Sequence, residues 1–201
     1  KKAGKTILND WIDFNGKNRS VRYRVPNKNQ CKECHAKNDL ITPIGPKARN
    51  LDKVFDYPNE SINQLTKWMK VEYIDKIDVE LNVPVNWEDE HLSLDARVKS
   101  YLDINCGHCH SSTGNANSTG LYLDLTENRP VHRGIFKKPV ATGRGSGGHQ
   151  YSISPGNSEE SIMLYRMISV DPGVMMPESG RSLSHNEAID MIREWIDKME
   201  I

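Results

Sequence analysis

The sequence predicts a mainly α-helical chain of two small domains in tandem, with a short β or irregular insertion in the second domain. Two Cys-x-x-Cys-His pentads begin 75 residues apart, at Cys31 and Cys106, and helical apolar periods lie beside each of them. A length of 201 residues is enough for two small domains. We therefore expect an N-terminal extension over residues 1–30, a first domain over 31–90 and a second over 91–201.

The first half contains one strand pattern and one helix pattern. Val21, Tyr23 and Val25 alternate with charged residues, which predicts an extended strand. It follows an apolar cluster formed by Ile7, Leu8, Trp11, Ile12 and Phe14. Pro26 keeps a helix from running into the first pentad. Apolar residues at three- and four-residue spacing predict a helix over about 61–74, capped by Asn59 or Ser61: these are Ile62, Leu65, Trp68 and Met69.

The second half follows a linker over about residues 75–92. Ser93 is the predicted N-cap of a helix that runs almost to Cys106 and buries Leu94, Val98, Tyr101 and Leu102. Residues 111–157 are rich in Gly, Ser, Asn and Pro, with a short strand predicted by Leu121, Leu123 and Leu125. Two helices follow, over about 159–168 and after a capping box at 184–187. The last one is expected to bury Ile189, Ile192, Trp195 and Ile196.

The overall composition excludes several classes of partner. Lys plus Arg equals Asp plus Glu at 27 each, so net charge gives no reason to expect nucleic acid, an anionic membrane or an acidic substrate. No apolar run approaches the roughly 18 residues that a membrane span needs. The hydrophobic share of 36% is low for two cores, so we expect another component to help fill them. The start at Lys1 without an apolar signal core suggests a mature or trimmed product of an exported protein.

All four cysteines lie in the pentads Cys31-Lys32-Glu33-Cys34-His35 and Cys106-Gly107-His108-Cys109-His110. In this pattern two thiols one helical turn apart can add to the two vinyl groups of one porphyrin, and the following imidazole can bind its iron. The sequence therefore predicts two covalently bound haem c groups, with His35 and His110 as iron ligands. A Cys-x-x-Cys pair alone also fits half of a zinc site or a redox dithiol, and spacing alone does not exclude a four-cysteine zinc site.

The second axial ligand determines whether an iron has an open position. For the second haem the candidates are Met176 and its neighbour Met175, which precede Pro177 on an irregular segment before the terminal helix. His185 is an alternative. For the first haem, no Met or His lies between His35 and the helix predicted to start near residue 61. Met69, His91, an open iron face and a ligand from the other domain all remain as alternatives.

Several cations are candidate partners of haem propionates, because guanidinium pairs well with carboxylate. They are Arg144, Arg181, Arg133 and Lys47, with Arg181 favoured for its nearness to Met176. The glycine-rich run at 143–148 lacks a following Lys-Ser/Thr, so it does not predict a phosphate-binding loop.

Beyond the pentads, further segments carry a family resemblance over residues 20–199. They are Tyr23-Arg24-Val25-Pro26-Asn27, Pro43-Ile44-Gly45-Pro46, Asn50-Leu51, Asn63-Gln64-Leu65, Tyr101-Leu102-Asp103, Pro155-Gly156-Asn157, Ser161-Ile162, Met175-Met176-Pro177, Gly180-Arg181-Ser182 and Trp195-Ile196. In these the chain resembles bacterial di-haem c-type cytochromes, and each half is similar to a class I cytochrome c domain.

The resemblance implies two mostly helical cytochrome c-like haem domains in a protein exported to the bacterial cell envelope, in the periplasm. It implies Met176 or Met175 as distal ligand and includes Pro46 among the residues that contact haem. The first half departs from the class I pattern because it has no obvious distal methionine.

The expected function is transfer of single electrons between redox partner proteins, since two fixed haems need no substrate pocket. The alternative is a di-haem peroxidase-like oxidoreductase with an open first haem, although no pair of acid and base residues can be picked out for it. An electron-transfer module of a larger enzyme would have the same chemistry. The sequence does not predict an oligomeric state.

Overall fold

The chain mixes helices with small sheets. A computed structural model describes residues 4–13, 16–37, 40–77 and 80–200. The expectation of a mainly α fold is wrong, because the structure is 32% helical with 16% strand. The helices in the described ranges are α1 (Lys28–His35), α2 (Ala48–Leu51), α3 (Gln64–Lys70), α4 (Leu94–Asn105), α5 (Ile162–Ile168) and α6 (Asn186–Asp197). The strands there are β1 (Lys5–Ile12), β2 (Asn18–Val25), β3 (Ala36–Lys37), β4 (Leu40–Ile41), β5 (Val54–Tyr57) and β6 (Glu60–Asn63).

Strands β1 and β2 form an antiparallel hairpin in which Ile7 lies opposite Tyr23. The predicted strand at residues 21–25 is confirmed. The predicted apolar cluster before it is wrong for three members, because Leu8, Trp11 and Ile12 are 65%, 37% and 68% exposed. A strand alternates its side chains between two faces, so Leu8 and Ile12 point away from Ile7. Phe14 lies outside the described residues.

Residues 54–70 form a hairpin followed by a helix, and not one long helix. Strands β5 and β6 pair across the turn at Pro58-Asn59, with Phe55 opposite Ile62. Helix α3 then starts at Gln64, and the side chain of Asn63 accepts a hydrogen bond from the Thr66 amide. The predicted helix start near residue 61 and its caps are therefore wrong. Pro and Asn are typical turn residues. The turn that they form places Ile62 in β6, opposite β5, before α3 begins.

The second half is built around α4 and α6. Ser93 caps α4 as predicted, accepting a hydrogen bond from the Ala96 amide at 3.3 Å. Leu102, Ile192 and Ile196 are at most 1% exposed where the two helices pack. The predicted strand at 121–125 is absent from this fully described region, although Leu123 is buried. Helix α6 begins after His185 without a side-chain cap, so the capping box does not form.

The core is divided unevenly between the halves. Among the described residues before Val98, Leu65 is the only buried hydrophobic side chain. The remaining buried hydrophobic residues follow, on α4, α5, α6 and the segments between them. None of the helices in the described ranges is long and apolar enough to cross a membrane.

Candidate functional site

Helix α1 contains the whole first pentad, and it begins with a capping box. The Asn27 side chain accepts hydrogen bonds from the amides of Asn29 and Gln30 at 2.9 and 3.0 Å. The Gln30 side chain in turn accepts one from the Asn27 amide at 3.0 Å. These bonds satisfy amides that the first turn of a helix leaves unpaired. The sequence thus starts this short helix directly before Cys31.

The two faces of α1 have different surroundings. Residues three and four apart share a face of a helix, and one face carries the exposed residues Lys28, Cys31, Lys32 and His35. Cys34 is half-buried against the second half of the chain. The two thiols of the first pentad therefore differ in access to solvent.

The His35 imidazole is oriented by the chain that follows it. Its Nδ1 lies 3.3 Å from the Thr42 carbonyl oxygen, and the Thr42 amide donates to the His35 carbonyl at 2.6 Å. Strands β3 and β4 pair between these residues and bring Thr42 back to the helix. A proton on Nδ1 that is donated to a carbonyl leaves the Nε2 lone pair for a metal.

The second pentad follows the C-terminus of α4 as a series of tight turns. The Cys106 amide donates to the Leu102 carbonyl at 2.8 Å, and the His110 amide donates to the Cys106 carbonyl at 2.9 Å. At Gly107 a Cβ atom would lie 2.8 Å from the Asp103 carbonyl oxygen, so the backbone passes α4 too closely for a side chain. The buried helix therefore fixes where this pentad begins.

Burial changes the acid–base behaviour of two residues in the second pentad. It raises the pKa of Cys106 to about 12. It lowers the pKa of His110 to about 4, although the backbone of Leu121 acts in the opposite direction. The Nδ1 atom of His110 is buried and has no hydrogen-bond partner among the described residues. The imidazole is therefore neutral at pH 7, which is the form that binds a metal.

The two pentads meet at a junction formed by Cys34, His108 and Cys109. One ligand atom from each of these side chains lies within 4.8 Å of the others. The Cys109 sulfur also donates to the Glu33 carbonyl oxygen at 3.6 Å. The hydrogen bond between the thiols lowers the pKa of Cys34, with a smaller contribution from His108, and raises the pKa of Cys109. Each pentad therefore contributes its second cysteine to the contact.

Hydrogen bonds from the second half hold α1 in this position. Asn115 Nδ2 donates to the carbonyl oxygens of Glu33 and Lys32 at 2.6 and 3.0 Å. The Ser179 hydroxyl lies 3.4 Å from the Glu33 carboxylate. Sequence reasoning missed Asn115 and His108 as site residues, because both act on α1, which lies far away along the chain.

The two methionine candidates for the second haem, Met175 and Met176, lie between α5 and α6. Met175 is buried and Met176 is half-buried. Their amides donate to the carbonyls of Asp171 and Arg166 at 2.8 and 3.0 Å, which fixes the backbone of the segment. Met69 is half-buried on α3. The identity of the distal ligands stays a prediction.

The histidine alternatives have other surroundings. His185 Nδ1 lies 2.9 Å from the Tyr101 hydroxyl, and its ring lies 5.2 Å from that of Trp87. His91 is exposed in the linker, where its amide donates to Asp89. His185 is thus part of an aromatic cluster beside α4.

The candidate propionate partners also make contacts within the protein. Arg181 donates to several backbone carbonyls at the end of α5, including those of Met167 at 2.8 Å and Ser169. Burial lowers its pKa. The remaining candidates are Arg144, exposed and 2.9 Å from Asp171; Arg133, buried and donating to the Glu127 carbonyl; Lys47, half-buried; and Pro46, exposed. Their roles toward a propionate stay predictions.

A buried ion pair behind the second pentad was also missed by sequence reasoning. Asp103 on α4 is fully buried, and its Oδ1 accepts hydrogen bonds from Arg49 and from the Leu125 amide. Arg49 belongs to α2, so the pair joins the first half to the helix that carries Cys106. The available signal was the position of Asp103 directly beside the predicted core residues Tyr101 and Leu102.

Comparison with protein-family models, with curated proteins and with solved structures finds no match to the chain. The family resemblance therefore remains an expectation from the sequence.

Proposed function

We propose that the chain is a di-haem c-type cytochrome that transfers single electrons. The observation that carries this proposal is the contact between Cys34 and Cys109, whose sulfur atoms lie within 4.8 Å of each other. Porphyrins bonded to these sulfurs would have neighbouring edges. Such an arrangement suits electron transfer between two haems inside one short chain.

The donor set at each pentad fits haem attachment. Each pentad offers two thiols and one imidazole, and in the described structure none of the four cysteines is in a disulfide. His35 has its Nδ1 turned to a carbonyl, and His110 is half-buried and neutral. When bound, haem iron supplies a site that alternates between the ferric and ferrous states. The cysteines of the pentads would anchor it, the imidazoles of His35 and His110 would bind its iron, and the surrounding residues would limit the access of water.

The apolar surface of the first half also fits this cofactor. Only Leu65 is a buried hydrophobic residue among the described residues up to 77, while several others are exposed. Leu40 and Ile41, which follow the first pentad closely, are 70% and 67% exposed. A porphyrin is a large apolar ring, so contact with it would remove such surface from water.

For the second haem we infer Met176 as distal ligand, with Met175 as the alternative. Met69 is the corresponding candidate for the first haem, and an open position there would suit the peroxidase-like alternative. Reaction with an added ligand distinguishes the two cases, since an iron held on both faces has no open position.

The test is maturation of the chain in a host that attaches haem c. We expect an intact mass that includes two haem groups and a visible spectrum that changes on reduction. Cys31→Ser/Cys34→Ser and Cys106→Ser/Cys109→Ser should each remove one haem. A colourless chain, or one whose mass lacks both groups, contradicts the proposal. Fast reaction with peroxide at one haem would favour the peroxidase-like alternative.

A second candidate is a metal-ion site at the junction, since Cys34, His108 and Cys109 are ligands that zinc accepts. A metal ion bound at the junction excludes haem at Cys34 and Cys109, because a cysteine bonded to haem through a thioether no longer offers a thiolate to the ion. The haem-free chain titrated with cobalt should then bind one ion. Cys34→Ser should abolish this binding and Cys31→Ser should not. Equal binding by both variants would exclude the junction as the site.

A further inference from the structure

The balanced total charge conceals an uneven distribution along the chain. Residues 1–77 contain 16 Lys and Arg but 9 Asp and Glu, a balance of +7. Residues 78–90 contain five acidic residues and no basic one, and residues 91–201 have a balance of −2. The net excess of basic over acidic residues therefore lies in the half that carries the first pentad.

The basic residues are concentrated directly before that pentad. Residues 17–32 contain six Lys or Arg and no Asp or Glu. The six are Lys17, Arg19, Arg22, Arg24, Lys28 and Lys32, and all are exposed. Arg19 lies 2.8 Å from the Asp13 carboxylate, which offsets one of the six charges.

Two of these lysines surround the exposed side of the pentad. Lys28 and Lys32 lie on the same face of α1 as Cys31 and His35, because these positions are three, four and seven residues apart. We call these four residues the basic face of α1. The acidic residue within α1, Glu33, points its carboxylate toward Ser179 on the second half. The basic face is therefore not neutralised by its own helix.

We propose that the basic face of α1 docks an acidic redox protein, so that the first pentad is the entry point for electrons. This inference rests on the proposed function. An acidic surface opposite Lys28 and Lys32 would raise the rate of encounter and orient the partner toward the exposed pentad. The second pentad, next to buried Asp103 and reached through the junction, would then be the inner site.

The first measurement needs no haem. The full chain is applied to immobilised polyglutamate and eluted with salt. Despite its net charge of zero, we expect wild type to be retained and Lys28→Glu/Lys32→Glu to elute at clearly lower salt. Lys137→Glu/Lys138→Glu, which makes the same charge change in the second half, should elute like wild type. Equal elution of all three chains overturns the docking face.

The second measurement uses the mature, reduced chain and ferricyanide, an anionic oxidant. Ferricyanide takes one electron to become ferrocyanide, one iron of the chain goes from ferrous to ferric, and no proton moves. At about 10 mM ionic strength we expect Lys28→Glu/Lys32→Glu to react at least threefold more slowly than wild type, and the difference to vanish near about 0.5 M salt. A cationic cobalt(III) oxidant should give the opposite order.

The two measurements separate the two proposals. A chain that acquires no haem on maturation, but is still retained on polyglutamate through Lys28 and Lys32, contradicts the proposed function and leaves the docking face. A di-haem chain whose reaction with ferricyanide is independent of salt and of these lysines contradicts the docking face alone. Self-association that the same charge reversal abolishes would assign the face to a second copy and overturn the proposal.

Discussion

Gly114 lies directly against the backbone of the second pentad. A Cβ atom there would be 2.2 Å from the Cys109 carbonyl oxygen and 2.8 Å from that of His108. Both neighbours are backbone atoms of the pentad, so neither can rotate away. Position 114 therefore requires glycine, the residue without a side chain.

We expect Gly114→Ala to destabilise the protein by about 1–3 kcal/mol, the usual cost of forcing extra atoms into a packed site. The measurement is the midpoint of urea unfolding. Gly45→Ala is the matched control, because a Cβ atom there meets no atom within 4 Å. Equal midpoints for the two variants would contradict the close approach at Gly114.

At the level of residues, the pentads were predictable and their contact was not. The cysteines and histidines proposed to hold haem follow from local spacing in the sequence. Cys34, His108 and Asn115 meet only because segments separated by 76 to 83 residues come together at Glu33 and Lys32. No local pattern of one sequence encodes such a contact.

At the level of elements, long amphipathic helices were predicted well and the short hairpin was not. Helices α4 and α6 have 12 residues each, enough for several turns of apolar period. In residues 61–74, Ile62 and Leu65 are three apart, as in a helix. Ile62 nevertheless belongs to β6, where it pairs with Phe55. Short apolar runs fit both periods, and the Pro58-Asn59 turn determines which one forms.

The ion pair between Arg49 on α2 and Asp103 on α4 predicts how strongly these two helices are held together. Arg49→Met should destabilise the protein by about 3–5 kcal/mol, because it leaves the Asp103 carboxylate buried without its cation. Urea unfolding measures this change. Arg193→Met removes the ion pairs of α6 with the exposed carboxylates of Glu159 and Asp190 and should cost at most about 1 kcal/mol. Similar losses in both variants would mean that the Arg49 pair behaves like a surface pair.

At the level of the whole molecule, the two halves differ in how they are stabilised. The second half has a continuous core, whereas Leu65 is the one buried hydrophobic side chain among the described residues up to 77, and this half contacts the second through Arg49 and α1. The sequence had suggested too few apolar residues for two cores. The uneven division between the halves could not be predicted, because alternation and helical period do not reveal which faces find a partner.

Removal of the Asn115 side chain tests the association of the halves. Asn115→Ala deletes two hydrogen bonds to α1 and should cost about 1–2 kcal/mol. Hydrogen exchange of the α1 amides should become faster, while exchange in α4 should not change. Asn117→Ala, at an exposed position nearby, is the control. Unchanged exchange in α1 would mean that Asn115 does not hold the helix.

The partners of α1 impose an order of events during synthesis. The bonds that hold this helix come from Cys109, Asn115 and Ser179, and Tyr23 just before it donates to the Gly180 carbonyl, 157 residues later. A ribosome makes the helix long before it makes any of these residues. The contacts that half-bury Cys34 therefore form only after the second pentad and Asn115 have been made, so both thiols of the first pentad are exposed to solvent while the first half of the chain is synthesised.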